Sequence, residues 1–374
     1  MFIVTSQNLI AKYTSNIISN LQRFTEDIII VPSGSTPEYI QSAINQRNLS
    51  DPCWIVGGSD TIPFYQAVNP FFFHDGDPVI NTDSFYAIST NDLTMPQRIV
   101  CRLPDEQGSF EISNFLTILD NLYNLFSSQQ TGNNLGTIYN SGFFSQVGTY
   151  FQQQFTNIFS INDESPPVLS TNINLTDIQN KEYLFLNLNG GANSYNLYGQ
   201  LGTDMMLALT PNQIGSANGS KVFISASYAG NLNTETNIFN NILLSFLFNG
   251  AVSVVASTEM TFGNIYLIEP NTNYPISPPI SQIGNEVTIS EAPEATNFSS
   301  MQQINYFANP NFPLIQSDYL SYLYFQNLFS GQTSGQAFMN AKNQYVQNLN
   351  LTSSIEKLDY KTLLEFNLYG FPLI

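Results

Sequence analysis

Along the first 128 residues, short runs of apolar residues alternate with apolar residues repeated at helical spacing. The runs, which predict strands, lie at residues 1–7, 27–31, 53–56 and 98–101. The spacing predicts helices at residues 9–24 and 112–122, and a third helix that starts at Thr36–Pro37, where an N-cap precedes a first-turn proline. Strands separated by helices of this length indicate βαβ units and a parallel sheet.

The same alternation restarts at Gly136, after a stretch rich in Gln, Gly and Asn that is the best candidate for a boundary. Further strands are predicted at residues 136–139, 183–186, 222–225 and 251–255, and helices at 144–159, 238–248, 318–329 and 335–349. We therefore predict an α/β fold with two adjacent subdomains, residues 1–128 and 129–374, whose mainly parallel sheets are flanked by helices. Residues 263–312, rich in Pro, Asn and Ser, are predicted to form a long excursion.

Composition and charge narrow the function classes. The chain has 374 residues, of which 43% are hydrophobic and only 10% are charged, and its formal net charge is -18. Such an acidic surface repels phosphate backbones, so we expect no nucleic-acid partner. No apolar run is long enough for a membrane span, and the N-terminus lacks the pattern of a signal peptide. One His and two Cys exclude a His-rich or multi-cysteine metal centre, and no cofactor is expected.

Four short motifs occur in order along the chain. They are the segments 56–63 (VGGSDTIP), 82–87 (TDSFYA), 99–104 (IVCRLP) and 367–372 (NLYGFP). In this order they resemble the Gly-Asp-x-x-x-Ile-Pro, Asp-x-x-Tyr, Gly-Arg-Leu-Pro and Leu-x-Gly-Asp-Pro motifs of the gingipain-type cysteine peptidases. Gly58, Cys101 and Phe371 depart from the family pattern. The resemblance covers nearly the whole chain and implies a caspase-like α/β fold.

The resemblance also locates the catalytic positions of that family. Its members carry a His in an Asn-x-Gly-His-Gly turn and the nucleophilic Cys in a Cys-x-x-Gly turn. The first turn aligns with residues 188–192, which puts Gly191 at the His position, and the second aligns with residues 226–230, which puts Ser227 at the Cys position. Thiolate catalysis needs a sulfur and a base. The resemblance therefore implies a catalytically inactive member with a degenerate dyad.

Two residues could still support hydrolysis. Ser227 could be a nucleophile if an unrecognised base lay beside it, but Gly191 cannot supply one, and a turn serine that bonds the local backbone is the favoured interpretation. His74 is the sole imidazole of the chain. Because His74 belongs to the other half of the chain, we interpret it as a polar loop residue and expect it to lie far from Ser227.

Acidic residues offer a weak metal hypothesis. Asp60, Asp75, Asp77 and Asp83 fall around one predicted loop and could hold a hard cation such as calcium. Because they are spaced over more than twenty residues, solvated loop carboxylates are the favoured interpretation, and no metal is expected.

The two cysteines, Cys53 and Cys101, lie on predicted strands. We place Cys53 near a strand start and Cys101 at a strand end. In parallel neighbours these positions lie at opposite ends, which disfavours a disulfide. We expect buried free thiols.

Three function classes remain open. The favoured class is a non-catalytic peptidase-like domain that acts as a structural or protein-binding module, as a component of a virion or an extracellular surface, through a protein partner or self-assembly. The alternatives are a hydrolase that uses Ser227 and a protein that binds a glycan or another ligand in the old substrate cleft. The expected contact surface is the excursion 263–312 with its aromatic residues, together with 71–73, whereas the aromatic run 319–325 is expected to pack in the core. The aromatic residues of the excursion are Tyr274, Phe298, Tyr306 and Phe307.

Overall fold

A computed structural model gives the fold of the chain. It describes residues 1–14, 16–108, 111–128, 135–191, 196–201, 203–232, 236–263, 267–268, 275–276, 314–348 and 357–374. For residues 73–74, 267–268 and 275–276 the description covers the backbone alone. Most of the predicted excursion 263–312, including Tyr274, Phe298, Tyr306 and Phe307, lies outside the described residues.

Strands and helices alternate along the described chain. The strands are β1 (Phe2–Ser6), β2 (Ile28–Val31), β3 (Cys53–Val56), β4 (Tyr65–Val68), β5 (Val79–Thr82), β6 (Val100–Leu103), β7 (Gly136–Ser141), β8 (Phe159–Ser165), β9 (Tyr183–Asn187), β10 (Asn189–Gly190), β11 (Leu197–Leu201), β12 (Asp204–Leu209), β13 (Lys221–Ile224), β14 (Ser253–Ser257), β15 (Leu267–Ile268), β16 (Pro275–Ile276) and β17 (Phe366–Gly370). The α-helices are α1 (Gln7–Tyr13), α2 (Asn16–Gln22), α3 (Pro37–Ile44), α4 (Phe72–Asp75), α5 (Ile112–Ser128), α6 (Ser145–Gln154), α7 (Ile242–Phe248), α8 (Gln316–Phe329), α9 (Ser334–Asn348) and α10 (Lys357–Glu365).

A ten-stranded sheet organises the molecule, in the order β2-β1-β3-β6-β17-β14-β13-β9-β7-β8. The pairings within β2-β1-β3-β6 and within β14-β13-β9-β7-β8 are parallel. Strand β17 runs antiparallel to β14 and meets β6 at one bridge, between Tyr369 and Arg102. The predicted α/β fold with a mainly parallel sheet flanked by helices is confirmed.

The two halves of the sheet present their loops at one edge. Two hydrogen bonds join the loop after β6 to the loop after β13. The Ile238 amide donates to Glu106 Oε1 at 3.1 Å, and the Gln107 amide donates to the Thr236 carbonyl at 2.8 Å. The strands before and after residue 128 form one continuous sheet, and β17 from the C-terminus lies between the two groups. The division into subdomains 1–128 and 129–374 stays a prediction.

Aromatic residues fill the core beneath the second half of the sheet. Helix α8 is buried around nearly its whole circumference, and its Phe325 ring lies 5.9 Å from Phe185 and 5.2 Å from Phe159. The prediction that the run 319–325 packs in the core is confirmed. Phe71, which we expected on a contact surface, is instead buried against Phe262 at a ring distance of 5.4 Å.

Two predicted helices differ from the structure. The helix predicted at 9–24 is divided into α1 and α2, because Thr14 has a φ of 68°, which a continuous helix does not allow. The helix predicted at 144–159 ends at Gln154, and Phe159 begins the edge strand β8. A run of aromatic residues suits the buried face of either element, so the pattern does not show where the helix ends.

The cysteines are buried and free, as predicted, but the predicted reason is wrong. Cys53 pairs with Val100 and Cys101 pairs with Trp54, so the two residues are one step apart in the ladder and not at opposite ends. Their side chains belong to different core clusters on opposite faces of the sheet, because alternate residues of a strand point to opposite sides. Burial raises the pKa of both thiols, which keeps them protonated.

Within the described residues, no helix has both the length and the apolar character that crossing a bilayer would require.

Candidate functional site

The turns that follow β9 and β13 meet at the carboxyl edge of the sheet. These strands are neighbours and pair in parallel from Tyr183 with Lys221 to Leu186 with Ile224. A Cβ added to Gly190 would lie 1.9 Å from the carbonyl oxygen of Ser227, so the two turns touch only because residue 190 is glycine. Gly191 and Ser227 therefore lie on adjacent turns.

The surroundings of Gly191 are open. A Cβ at this position would have no heavy atom of the described residues within 4 Å. Its backbone does not adopt the left-handed region that favours glycine. The position that aligns with the His of the gingipain-type family therefore has room for a side chain and carries none.

The hydroxyl of Ser227 is engaged by a neighbouring loop. Ser227 Oγ accepts a hydrogen bond from the Thr261 amide at 3.0 Å and lies 3.4 Å from Thr261 Oγ1. Neither group is a base, and among the described side chains no imidazole or carboxylate is hydrogen-bonded to Ser227. The side chain of His74 is not among those described, so its distance from Ser227 stays a prediction.

Tyr228 connects this turn to the β4–β5 hairpin. It adopts a left-handed backbone conformation with a φ of 60°, and its amide donates to the Glu259 carbonyl at 2.9 Å. Its hydroxyl donates to Asp77 Oδ2 at 2.7 Å. The residue after Ser227 is thus fixed at both its backbone and its side chain.

Behind Tyr228 lies a group that we call the carboxylate cluster, formed by Asp75, Asp77, Glu259 and Glu365 around Lys361. The ammonium group of Lys361 lies 2.6 Å from Glu365 Oε2 and 3.5 Å from Asp75 Oδ2, and both pairs are buried. The cluster has one lysine for four carboxyl groups, and among the described residues Glu365 Oε1 has no hydrogen-bond partner. Burial of so much acidic charge favours retention of protons.

Protonation of the cluster follows from its burial. Burial, the largest cause, and the neighbouring Asp77 together raise the pKa of Glu259 to about 8, against the lowering effect of the Asn81 amide. Burial also raises the pKa of Glu365 to about 7, against the lowering effect of Lys361. At neutral pH these two carboxyl groups are therefore largely or partly protonated.

The sequence did not indicate this cluster. In the sequence Asp75 and Asp77 are candidates only for a metal site, whereas Glu259, Lys361 and Glu365 come from a loop after β14 and from α10, far along the chain. The i, i+4 spacing of Lys361 and Glu365 was the one available signal, and it is typical of any exposed helix.

The four metal candidates do not converge. Asp60 lies 3.7 Å from Lys12, Asp83 pairs with Arg102 at 2.6 Å, Asp75 belongs to the Lys361 pair, and Asp77 accepts from Tyr228. Asp75 and Asp83 are buried, so describing all four as solvated loop carboxylates was wrong. Over the described residues, no group of three His, Cys, Asp or Glu side chains could hold a metal ion.

Arg102, from the motif at 99–104, holds three of the motifs together. Its Nη1 donates to the carbonyls of Gly57 and Ile62 at 3.0 and 2.7 Å, which fixes the turn at 56–63. Its Nε and Nη2 donate to both oxygens of Asp83, at 2.8 and 2.6 Å, in the motif at 82–87. These motif residues therefore build the scaffold of the edge and do not form a reactive group.

Solved structures share this architecture. Gingipain R, described as an Arg-specific cysteine proteinase, matches with a TM-score of 0.62 and 12% identity over 99% of this chain and 77% of that chain. The complex of the Porphyromonas gingivalis RgpB pro- and mature domains matches with a TM-score of 0.61 and 13% identity over 99% and 78%. A structure described only as a protease matches with a TM-score of 0.55 and 11% identity over 100% and 77%. The sequence matches no protein-family model and no curated protein.

These similarities establish a gingipain-like, caspase-like fold. At 11% to 13% identity the likeness concerns the fold alone, and activity has to be argued from the site of this chain.

The contact between the two turns gives a first prediction. Gly190→Ala should destabilise the fold by about 1–3 kcal/mol, because the added methyl group would overlap the Ser227 backbone. Gly191→Ala is the matched control and should change the free energy of unfolding by less than about 0.5 kcal/mol, since its Cβ enters open space. Urea denaturation of both variants measures the difference, and equal effects would contradict the described packing.

Proposed function

We propose that this chain is a non-catalytic, peptidase-like domain that acts as a structural or protein-binding module, in a virion or on an extracellular surface. The observation that carries the proposal is the pair of turns at the carboxyl edge. One turn has Gly191 where a base would be needed, and the other has Ser227 with its hydroxyl bound to Thr261. A serine hydroxyl without an adjacent base is a poor nucleophile.

The charge distribution supports a role in protein contacts. Arg98, Arg102, Lys342 and Lys361 are buried, and among the described residues that are not buried the acidic side chains still outnumber Lys and Arg. Such a surface repels nucleic acids and anionic lipids. A protein partner can instead use its amide, hydroxyl and aromatic groups.

A second candidate, ligand binding, has one observation in its favour. A cleft of about 520 Å³ opens between the start of α3 and the β4–β5 hairpin, and its lining includes Glu38, Ser59, Tyr65 and Asn81. Its size is typical of small-molecule sites. Asn81 joins this cleft to the carboxylate cluster by donating its amide and side chain to Glu259 at 3.1 and 3.0 Å.

Labelling with a fluorophosphonate probe distinguishes a non-catalytic domain from a serine hydrolase that uses Ser227. We expect the native chain to label no more than Ser227→Ala, and to hydrolyse a mixture of fluorogenic peptides no faster than that variant, because Ser227 has no hydrogen-bonded base among the described side chains. Labelling or hydrolysis that Ser227→Ala abolishes would show an active serine hydrolase and overturn the proposal.

A further inference from the structure

A small cavity lies between β6, β17 and α9, away from the two turns. Its volume is about 20 Å³, and its lining includes Asp83, Ser84, Arg98 and Lys342. A cavity of this size has room for about one particle the size of a water molecule. Most of the lining residues are buried.

Positive charge is concentrated around this cavity. Two buried cations, Arg98 and Lys342, are part of its lining, and a third, Arg102, pairs with the lining residue Asp83; the whole chain has only ten Lys and Arg residues. Asp83 is the one carboxylate in the lining, and Arg102 takes both of its oxygens. Within the described residues, neither Arg98 nor Lys342 forms a salt bridge, although Asp83 acts electrostatically on Lys342.

Lys342 is held by neutral groups. Its ammonium group donates to Ser84 Oγ at 3.1 Å and to the Phe366 carbonyl at 2.9 Å, and it lies 4.7 Å from the Phe338 ring. No salt bridge involves it among the described residues. Burial lowers the pKa of Lys342 to about 7, although Asp83 opposes the shift, so burial disfavours the ammonium form at this position.

Arg98 is held in a similar way. Its terminal nitrogens donate to the carbonyls of Ile44, Arg47 and Asn48 at 2.9 to 3.2 Å, at the C-terminal end of α3. The helix dipole and these carbonyls offset part of its charge. Its Nε is buried and has no hydrogen-bond partner in the part of the chain that the structure describes. A buried donor of this kind costs free energy unless a ligand or water satisfies it.

We infer that this cavity binds one small monovalent anion of halide size, represented by chloride, between Arg98 and Lys342. The anion would offset positive charge on Arg98 and Lys342, neither of which forms a salt bridge among the described residues, and their N–H groups would be its hydrogen-bond donors. The cavity has no room for sulfate, phosphate or an organic carboxylate. The site is separate from the Gly191 and Ser227 turns and does not depend on the proposed function.

Thermal unfolding at constant ionic strength tests the site. Replacing sodium gluconate by sodium chloride, from about 10 to about 300 mM, should raise the midpoint of the native chain by on the order of 2 °C, since a ligand that binds the folded state stabilises it. Holding the ionic strength constant removes the general effect of salt on an acidic protein. Lys342→Met should abolish the chloride effect, whereas Lys357→Met, which removes an exposed lysine, should retain it.

Direct detection of the ion completes the test. Chloride-35 NMR should show line broadening with the native chain and with Lys357→Met, and much less broadening with Lys342→Met. If Lys342→Met does not fold, crystals of the native chain soaked in bromide should show an anomalous peak in the cavity. The inference fails if chloride and gluconate give the same midpoint, if Lys342→Met retains the chloride effect, or if the cavity holds only water in the bromide crystals.

Discussion

Replacing Arg102 by methionine should destabilise the fold by about 3–5 kcal/mol, because the substitution leaves the buried carboxylate of Asp83 without its partner. Arg102 is fully buried and donates four hydrogen bonds, two to Asp83 and one each to the carbonyls of Gly57 and Ile62. Methionine keeps much of the side-chain volume and none of these donors. The midpoint and slope of urea denaturation measure the loss.

An exposed ion pair provides the matched control. Arg47 pairs with Asp27 at 2.8 Å on the surface, so Arg47→Met should cost less than about 1 kcal/mol. The double variant Arg102→Met/Asp83→Leu should recover part of the free energy of unfolding that Arg102→Met loses, since it also removes the unpaired carboxylate. A cost for Arg102→Met no greater than that for Arg47→Met would contradict the role of Arg102 as the residue that joins the motifs.

The central strands were predictable because burial on both faces leaves a continuous apolar run. The prediction for β3, at 53–56, agrees with the structure, and every residue of the strand is buried. Strands β6 and β14 begin two residues later than predicted, and α7 begins at Ile242 because Asn241 caps it. Such boundaries depend on caps and on neighbouring strands, which local periodicity does not show.

Other elements depend on contacts that are distant along the chain. β17 was assigned only as a motif, because its five residues become a strand by pairing with β14, more than a hundred residues earlier. The hairpin β11–β12 was missed because several of its side chains are exposed and give no clear alternation. Strand β2 is as apolar as the central strands, but it lies at the edge of the sheet and exposes Ile30.

The candidate site was predictable only in part. The order of the motifs located Gly191 and Ser227, because each follows a buried strand and parallel neighbours end at one edge of the sheet. The carboxylate cluster could not be predicted, because Asp75, Glu259 and Glu365 come from three separate segments and only the fold brings them to Lys361.

The carboxylate cluster predicts that the fold is more stable in mild acid than at alkaline pH. Burial raises the pKa of Glu259 to about 8, whereas the same group in an unfolded chain titrates near 4.3, by the usual value. The folded state therefore holds a proton that the unfolded chain loses between these values. The stabilisation is fully present below about pH 4 and is lost as the pH rises through about 8.

Glu259→Gln should remove most of this dependence, because a neutral amide does not titrate and its oxygen can still accept from Asn81. Between about pH 5 and about pH 9 we expect titration of Glu259 to lower the free energy of unfolding of the native chain by on the order of 4 kcal/mol. The variant should keep only the smaller pH dependence due to Glu365 and the other groups around Lys361.

Glu111→Gln, which removes one exposed carboxylate, controls for net charge and should retain the pH dependence of the native chain. Urea denaturation across this pH range measures all three chains. Parallel pH profiles for the native chain and Glu259→Gln would show that Glu259 is ionised in the folded state, and that Asn81 binds a carboxylate and not a carboxylic acid.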